Sequence, residues 1–539
     1  MRRFTVFGSV LVALALVFGL AWRTLPRGAQ PAAAPTGQAE AVTSVTRSCP
    51  PAPPGTGTPE ITMISMPSQA SPGKAGNVGP AGSATLSQVP AALATTAPSA
   101  KQTPTGQQTP TGQRTPTGQQ TPASGNTTTA SGNKAGATDK PTEPTPAVPV
   151  TVSAPDMVTT VAPPGKTAGG GTEVTATGQM AEGFEAEQAN TAGMGLVSCT
   201  HPSSDMWFAG TGQGAGASAV WLYLANTGSV TATADVTILT DTGQQNGLNN
   251  AITVAPDQVI AENVTPFVTG SQALALHVQT SAGQVTASVW EGDANGGGAW
   301  LPQTAEPSTS LVIPGLTVAS SAARLFVTVP GSNVANLKLV ALTPSGAVTQ
   351  FSSAPVEASA GATTPVTLSS LGASAAALKV TSNVPIVASV LVPGSGIGAF
   401  TAASAPVSGQ GVVAGNPVTR GLTVGLLLTA PAGNATATIT VLGSAGSAAS
   451  SANGQVVTVR GSHTLAVAVP RPPGSKGPFA IVLTPRAGSG PLYAVRVVTT
   501  GTGGLSAPVS SLLAVASAPT AITIPPVDNS YTAVLPAAG

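Results

Sequence analysis

Charge is what this sequence has least of. Lys and Arg number 20 and Asp and Glu 19 in 539 residues, so charged side chains make up 7%, against roughly 25% in an ordinary soluble chain. A net charge of +1 gives no basic field for nucleic acid and no acidic field for cationic partners, which excludes nucleic acid as a partner. Acid–base and nucleophilic catalysis need titratable groups gathered in one place. Three His and two Cys are a poor supply, so the expectation is a protein that is not an enzyme and has no cofactor or metal. Aromatics are 3%, and none lies between Trp22 and Phe184. Their distribution divides the chain into three parts.

The first part is an uncharged run of 19 residues at 4–22, FTVFGSVLVALALVFGLAW, long enough as a helix to cross roughly 30 Å of hydrocarbon. Arg2 and Arg3 before it favour a cytoplasmic N-terminus. Residues 1–23 therefore read as a cytoplasmic tip and signal anchor, a transmembrane helix. A cleaved signal peptide is the competing reading; Arg23 and Arg27 follow the run at once, and small residues resembling a cleavage site appear only near 32–34. Both readings put the bulk of the chain outside the cytoplasm, and the anchor places it at the plasma membrane as a single-pass protein.

Residues 24–183 are rich in Pro, Thr, Gly, Ala, Ser and Gln and cannot bury enough apolar surface to offset ordering entropy, so they read as a mostly disordered low-complexity spacer. Within it TPTGQQ-TPTGQR-TPTGQQ at 103–120 is a hexapeptide repeated three times. Three strand-like islands, 41–49, 60–66 and 148–162, alternate apolar with polar residues, the period of half-buried strands. They are assigned to the folded region, with the repeat-bearing segment inserted between them, because loop-closure entropy grows only logarithmically with length.

From Leu196 onward Val/Thr/Ala runs alternate with Gly, Pro, Asn and Ser turns, which makes the chain all-β. Residues 220–230 (VWLYLANTGSV) align with 324–334 (RLFVTVPGSNV), matching Trp221 to Leu325, and with 425–435 (GLLLTAPAGNA). Repeats of this length with several short strands fit immunoglobulin-like β-sandwiches. Three tandem modules follow, at 184–314 (with the islands), 315–414 and 415–539, with edges near 313–315 and 414–415. Trp221, standing where the later modules have Leu, is expected in the core. In each module a late strand, such as LALHVQT, is expected to pair with the next, VTASVW.

The run 174–210 (VTATGQMAEGFEAEQANTAGMGLVSCTHPSSDMWFAG), with the Ser-Cys-Pro at 48–50 and the repeated modules, resembles an uncharacterised actinobacterial family of membrane-anchored secreted proteins, a domain-of-unknown-function family. The resemblance implies an anchor, an early Cys-Pro, a later Cys followed by Trp-Phe-x-Gly, and repeated β modules. It implies no activity.

Cys49 and Cys199, the only cysteines, are expected to pair, since disulfides persist outside the cytoplasm; two free thiols are the alternative. Cys199, His201 and Asp205 lie close in sequence, which invites a thiol nucleophile with His as base, but catalytic partners usually converge from different parts of a fold and the disulfide is the role expected of Cys199. His277 reads as a solvated outer-face residue and His463 as part of a turn. The glycine run at 210–216 has no helix after it to bind a phosphate. The loop WEGDANGGGAW sets Trp290 and Trp300 around Glu291 and Asp293, a candidate ligand platform for sugar rings, with core packing as the alternative. The function expected is a non-enzymatic, membrane-anchored ectodomain that binds or scaffolds cell-envelope components. The alternative is a carbohydrate-binding accessory protein of cell-wall polysaccharide metabolism. The partners expected are the membrane, through residues 4–22, and cell-wall polysaccharide or other envelope proteins.

Overall fold

The computed structural model describes residues 38–53, 56–66, 81–92, 150–164, 169–190, 195–246, 248, 251–317, 323–349, 356–368, 376–394, 396–444, 454–518 and 520–524. The anchor at 4–22 and the TPTGQ repeats lie outside them. The described chain is all-β, with four short 3₁₀ turns, and its strand ladders are antiparallel.

One strand order recurs four times. In each copy one sheet has the order first-sixth-third-fourth and the facing sheet the order fifth-second-seventh-eighth, with one more short strand, Ile252–Val254 in the second copy and Val356–Ala358 in the third, left out of the count and also paired with the third strand. The first copy runs through Ser44–Cys49, Pro59–Ile64, Ala84–Val89, Val150–Val152, Thr159–Val161, Gly171–Thr177, Glu185–Asn190 and Val197–Ser198. The second begins at Asp205–Thr211 and ends at Gly298–Leu301, the third runs from Ser308–Leu316 to Ala399–Ala402, and the fourth from Gly411–Asn416 to Val509–Ala514. In the third copy the sixth and seventh strands are one continuous element, Ala376–Val392, whose first half pairs in one sheet and second half in the other. The late strands expected to pair therefore sit in opposite sheets. Each copy closes over its own core: Ile61, Met63, Leu86 and Phe184 in the first, Leu222, Leu224, Ile238 and Leu276 in the second.

This corrects several readings. The islands do not complete the module that follows them; they supply four of the first five strands of a copy of their own, whose third strand, Ala84–Val89, and sixth, Gly171–Thr177, lie elsewhere in the stretch read as a disordered spacer, and which Glu185–Asn190 and Val197–Ser198 finish. The long insert leaves from the end of the third strand, at Val89, and returns to the fourth, at Val150. The strand order is also not that of an immunoglobulin constant domain, in which the first strand pairs with the second; here the first pairs with the sixth and the second with the seventh. The expected module edges at 313–315 and 414–415 fall inside the strands Ser308–Leu316 and Gly411–Asn416. Glycine there marks close approach, not a turn: at Gly315, with φ +95°, a Cβ would stand 2.7 Å from Val495 Cγ1.

The repeat alignment is shifted by one residue between the second and third copies. Leu222 and Leu224 face the inner core, as Leu325 and Val327 do, while Trp221 and Tyr223 face outward. Side chains alternate along a strand, so a one-residue slip exchanges the two faces. Trp221 is thus half-buried on the outer face.

Those outer faces are used. The second and seventh strands of the third and fourth copies pack against the first strand of the copy before, so that Phe326 and Val387, with Phe400 of the eighth strand, bury in the core of the second copy and Leu427 and Val495 in that of the third. Each such side chain contributes roughly 1.5–3 kcal/mol. A hydroxyl repeats at two of these junctions: Thr363 Oγ1 donates to the Leu239 carbonyl at 2.8 Å and Thr464 Oγ1 to the Leu342 carbonyl at 2.7 Å. The fourth copy then meets the first, where Val412, Ala414, Ala480 and Val482 cover Ile64 and Val158. The first meets the second through Val89 and Val197 against Tyr223, Val259, Trp290 and Trp300. Head-to-tail contacts that close in this way make a ring. A two-stranded ribbon, Gln38–Ala41 with Ala521–Ile524, brings the two ends of the described chain together.

Candidate functional site

The ring has a central cleft. Its walls come mostly from the seventh and eighth strands and the turns between them in all four copies: Asn190, Gly195 and Leu196 from the first, Trp290, Asp293 and Trp300 from the second, Gly396, Gly398 and Phe400 from the third, Ser510 to Leu512 from the fourth. The volume is about 360 Å³, within the range of small-molecule sites, which favour domain junctions. All four copies therefore contribute to one lining.

Of the four residues read as a ligand platform, Trp290, Asp293 and Trp300 border this cleft and Glu291 does not. Trp290 and Trp300 are 5% and 8% exposed and meet edge to face with ring centroids 5.1 Å apart. The Trp300 indole N–H donates to the Gly195 carbonyl at 3.2 Å. They pack the junction between the first two copies, the core-packing alternative, and only their uncovered margins reach the cleft. Glu291, next along the strand, points to the opposite face and is fully buried. The Thr211 hydroxyl donates to its Oε2, and its Oε1 has no hydrogen-bond partner among the described residues. Burial raises this carboxyl from 4.5 to about 8, so it is protonated at neutral pH. Asp293 stays at the cleft. Its Oδ1 accepts the backbone N–H groups of Asn295 at 2.8 Å and Gly297 at 3.0 Å, which fixes the carboxylate.

Two buried ion pairs escaped the sequence reading. Arg47 Nη2 stands 3.0 Å from Glu185 Oε1 within the first copy, and Arg496 Nη1 stands 2.8 Å from Glu187 Oε1 across the junction of the fourth copy with the first. Gly415 donates its N–H to Glu187 Oε2 at 2.9 Å. Burial pushes both glutamates above the usual carboxylate range, and the arginines oppose it. The signal was present: Glu185 and Glu187 are alternate residues of one strand in a chain with few charges.

Cys49 and Cys199 form a disulfide, with Cα atoms 4.2 Å apart and 150 residues between them in sequence. It joins the first strand of the first copy to the segment after its last strand, beside paired backbone hydrogen bonds between Ser48 and Thr200. Cys199 is therefore no nucleophile, and His201 beside it is exposed. His277 is not a free outer-face residue. It stacks on Trp207 with centroids 3.7 Å apart, and its Nε2 lies 3.1 Å from Asp205 Oδ1. Burial pulls its pKa down and Asp205 pulls it up, with burial the larger effect. His463 begins a strand and places Nδ1 2.7 Å from the Gly461 carbonyl. The run at 210–216 ends a strand, makes one 3₁₀ turn and leads into the strand Ala219–Asn226. Among the described residues no group of three or more His, Cys, Asp or Glu could hold a metal ion.

Compared with known proteins, the chain matches one family model, the family of unknown function DUF5719, over residues 150–470. That span starts at the fourth strand of the first copy and ends in the fourth copy. No curated protein and no solved structure matches.

Proposed function

The chain belongs to the DUF5719 family, matched over more than half its length, and we propose that it is a non-enzymatic, membrane-anchored ectodomain that binds or scaffolds components of the cell envelope. The observation that carries this reading is the disulfide between Cys49 and Cys199, because such bonds persist in oxidising compartments. The uncharged run at 4–22 after two arginines supplies the anchor, and the resemblance to actinobacterial anchored proteins agrees with it. The four sheet pairs are copies of one immunoglobulin-like sandwich unit with exchanged edge strands. The closed ring makes a rigid platform for partners.

Intact producing cells treated with a membrane-impermeant amine-biotinylating reagent test this. Lys338, exposed on its strand, should be labelled before lysis, and the chain should sediment with membranes. Labelling only after lysis would overturn it. The second reading, a carbohydrate-binding accessory protein of cell-wall polysaccharide metabolism, draws its support from the central cleft.

A further inference from the structure

We propose that the central cleft binds a short, neutral, hydroxyl-rich chain, an oligosaccharide; this rests on the second reading above and assigns it a site. Among the described lining residues Asp293 is the one ionisable side chain. Among the described residues no Lys, Arg or His lines the walls to pair with a phosphate or an acidic polymer, so anionic ligands would enter without a countercharge. A purely apolar ligand would strip water from Asp293 and return no hydrogen bond. Sugar hydroxyls donate well to a carboxylate, and the C–H faces of the ring suit apolar margins such as those of Trp290 and Trp300.

The carboxylate is prepared for this. With Oδ1 held by two backbone N–H groups, Oδ2 has no hydrogen bond among the described residues and faces Gly297 and Gly396. A Cβ at Gly297 would lie 2.8 Å from Oδ2, and one at Gly396 would lie 3.1 Å from it. Glycine at both positions, one from the second copy and one from the third, keeps space open beside that oxygen. Further polar groups line the cleft at Thr56, Asn190 and Ser510. The wall formed by four copies lets a ligand touch every unit of the ring at once.

The test uses the full-length chain with maltotetraose, cellotetraose and chitotetraose as neutral probes and tetragalacturonate as the acidic comparison, read by saturation-transfer NMR and calorimetry. At least one neutral probe should bind at millimolar concentration or below, and tetragalacturonate should bind at least about tenfold more weakly. Asp293→Asn should weaken the neutral probe by about tenfold or more, and Ser510→Tyr, which fills the cleft, should abolish binding. Both variants should keep the wild-type thermal midpoint; a variant that loses it is replaced by Thr56→Trp, read the same way. Absence of neutral binding, equal or tighter binding of the acidic probe, or binding indifferent to both substitutions would overturn the proposal. Surface labelling of Lys338 is independent of these outcomes, so failure of the cleft is distinguishable from failure of the ectodomain reading.

Discussion

At the scale of single residues, Arg47, Glu185, Glu187, Glu291 and Arg496 are ionisable groups buried where charge is hardest to keep. Glu291 is raised to about 8 by burial. A raised carboxyl contributes its full stability below its unfolded value, near 4.5, and loses it progressively as pH rises to about 8. Stability should therefore fall across that window, and Glu291→Gln, which mimics the protonated group, should remove the fall. Relative to wild type the variant should gain about 3 kcal/mol between pH 5 and 8, measured as the shift in thermal midpoint with pH; parallel profiles for the two proteins would contradict the assignment. At Glu187, Arg496→Met should cost about 3–5 kcal/mol by leaving the buried acid without its partner. The double variant Glu187→Gln/Arg496→Met should recover most of the loss, which a pair of independent packing defects would not do.

At the scale of strands, the sequence revealed the repeat but not its faces. Val/Thr alternation and the turns located strands in the second, third and fourth copies. Trp221 and Leu222 are both apolar, however, so alternation alone could not say which faced inward, and the alignment settled on the wrong one. Gly315 and Gly415 misled for a related reason. Glycine signals both turns and close contacts, and only the packed neighbour tells them apart. The first copy went unrecognised because an insert separates its third and fourth strands and no aromatic lies between Trp22 and Phe184 to mark a core. Strand junctions also give a direct test. Thr464→Val removes the hydroxyl that bonds to Leu342 and meets Thr429 at 2.9 Å. It should lower stability by about 1 kcal/mol, seen as a shift in the denaturant midpoint, with the strand content by circular dichroism unchanged.

At the scale of the whole molecule, the candidate platform was half legible. Asp293 and the two tryptophans do lie together near a cleft, yet the cleft exists only because residues more than 300 positions apart in sequence, Asn190 and Ser510 among them, line it together. Local pattern carries no information about such a closure. The first copy, split by its insert, makes a further prediction. Replacing residues 95–147 with a short Gly/Ser linker should preserve folding and the Cys49–Cys199 bond, because each doubling of a flexible loop costs only about 0.6 kcal/mol. Peptide mapping under non-reducing conditions would show the linked cysteines, and a reduced or scrambled product would mean the insert is needed for assembly.

The ribbon between Gln38–Ala41 and Ala521–Ile524 pairs Gln38 with Ile524 and Ala41 with Ala521, so the chain enters and leaves at the same end of the ladder. A tensile load applied between the two termini acts on these pairs one after another, as a zipper opens, and not on all four in shear. The ribbon would peel apart at low force, and only then would tension reach the junction sealed by Glu187 and Arg496. The ring would thus carry a mechanical fuse at its ends, yielding first and re-forming on release while the four copies stay folded.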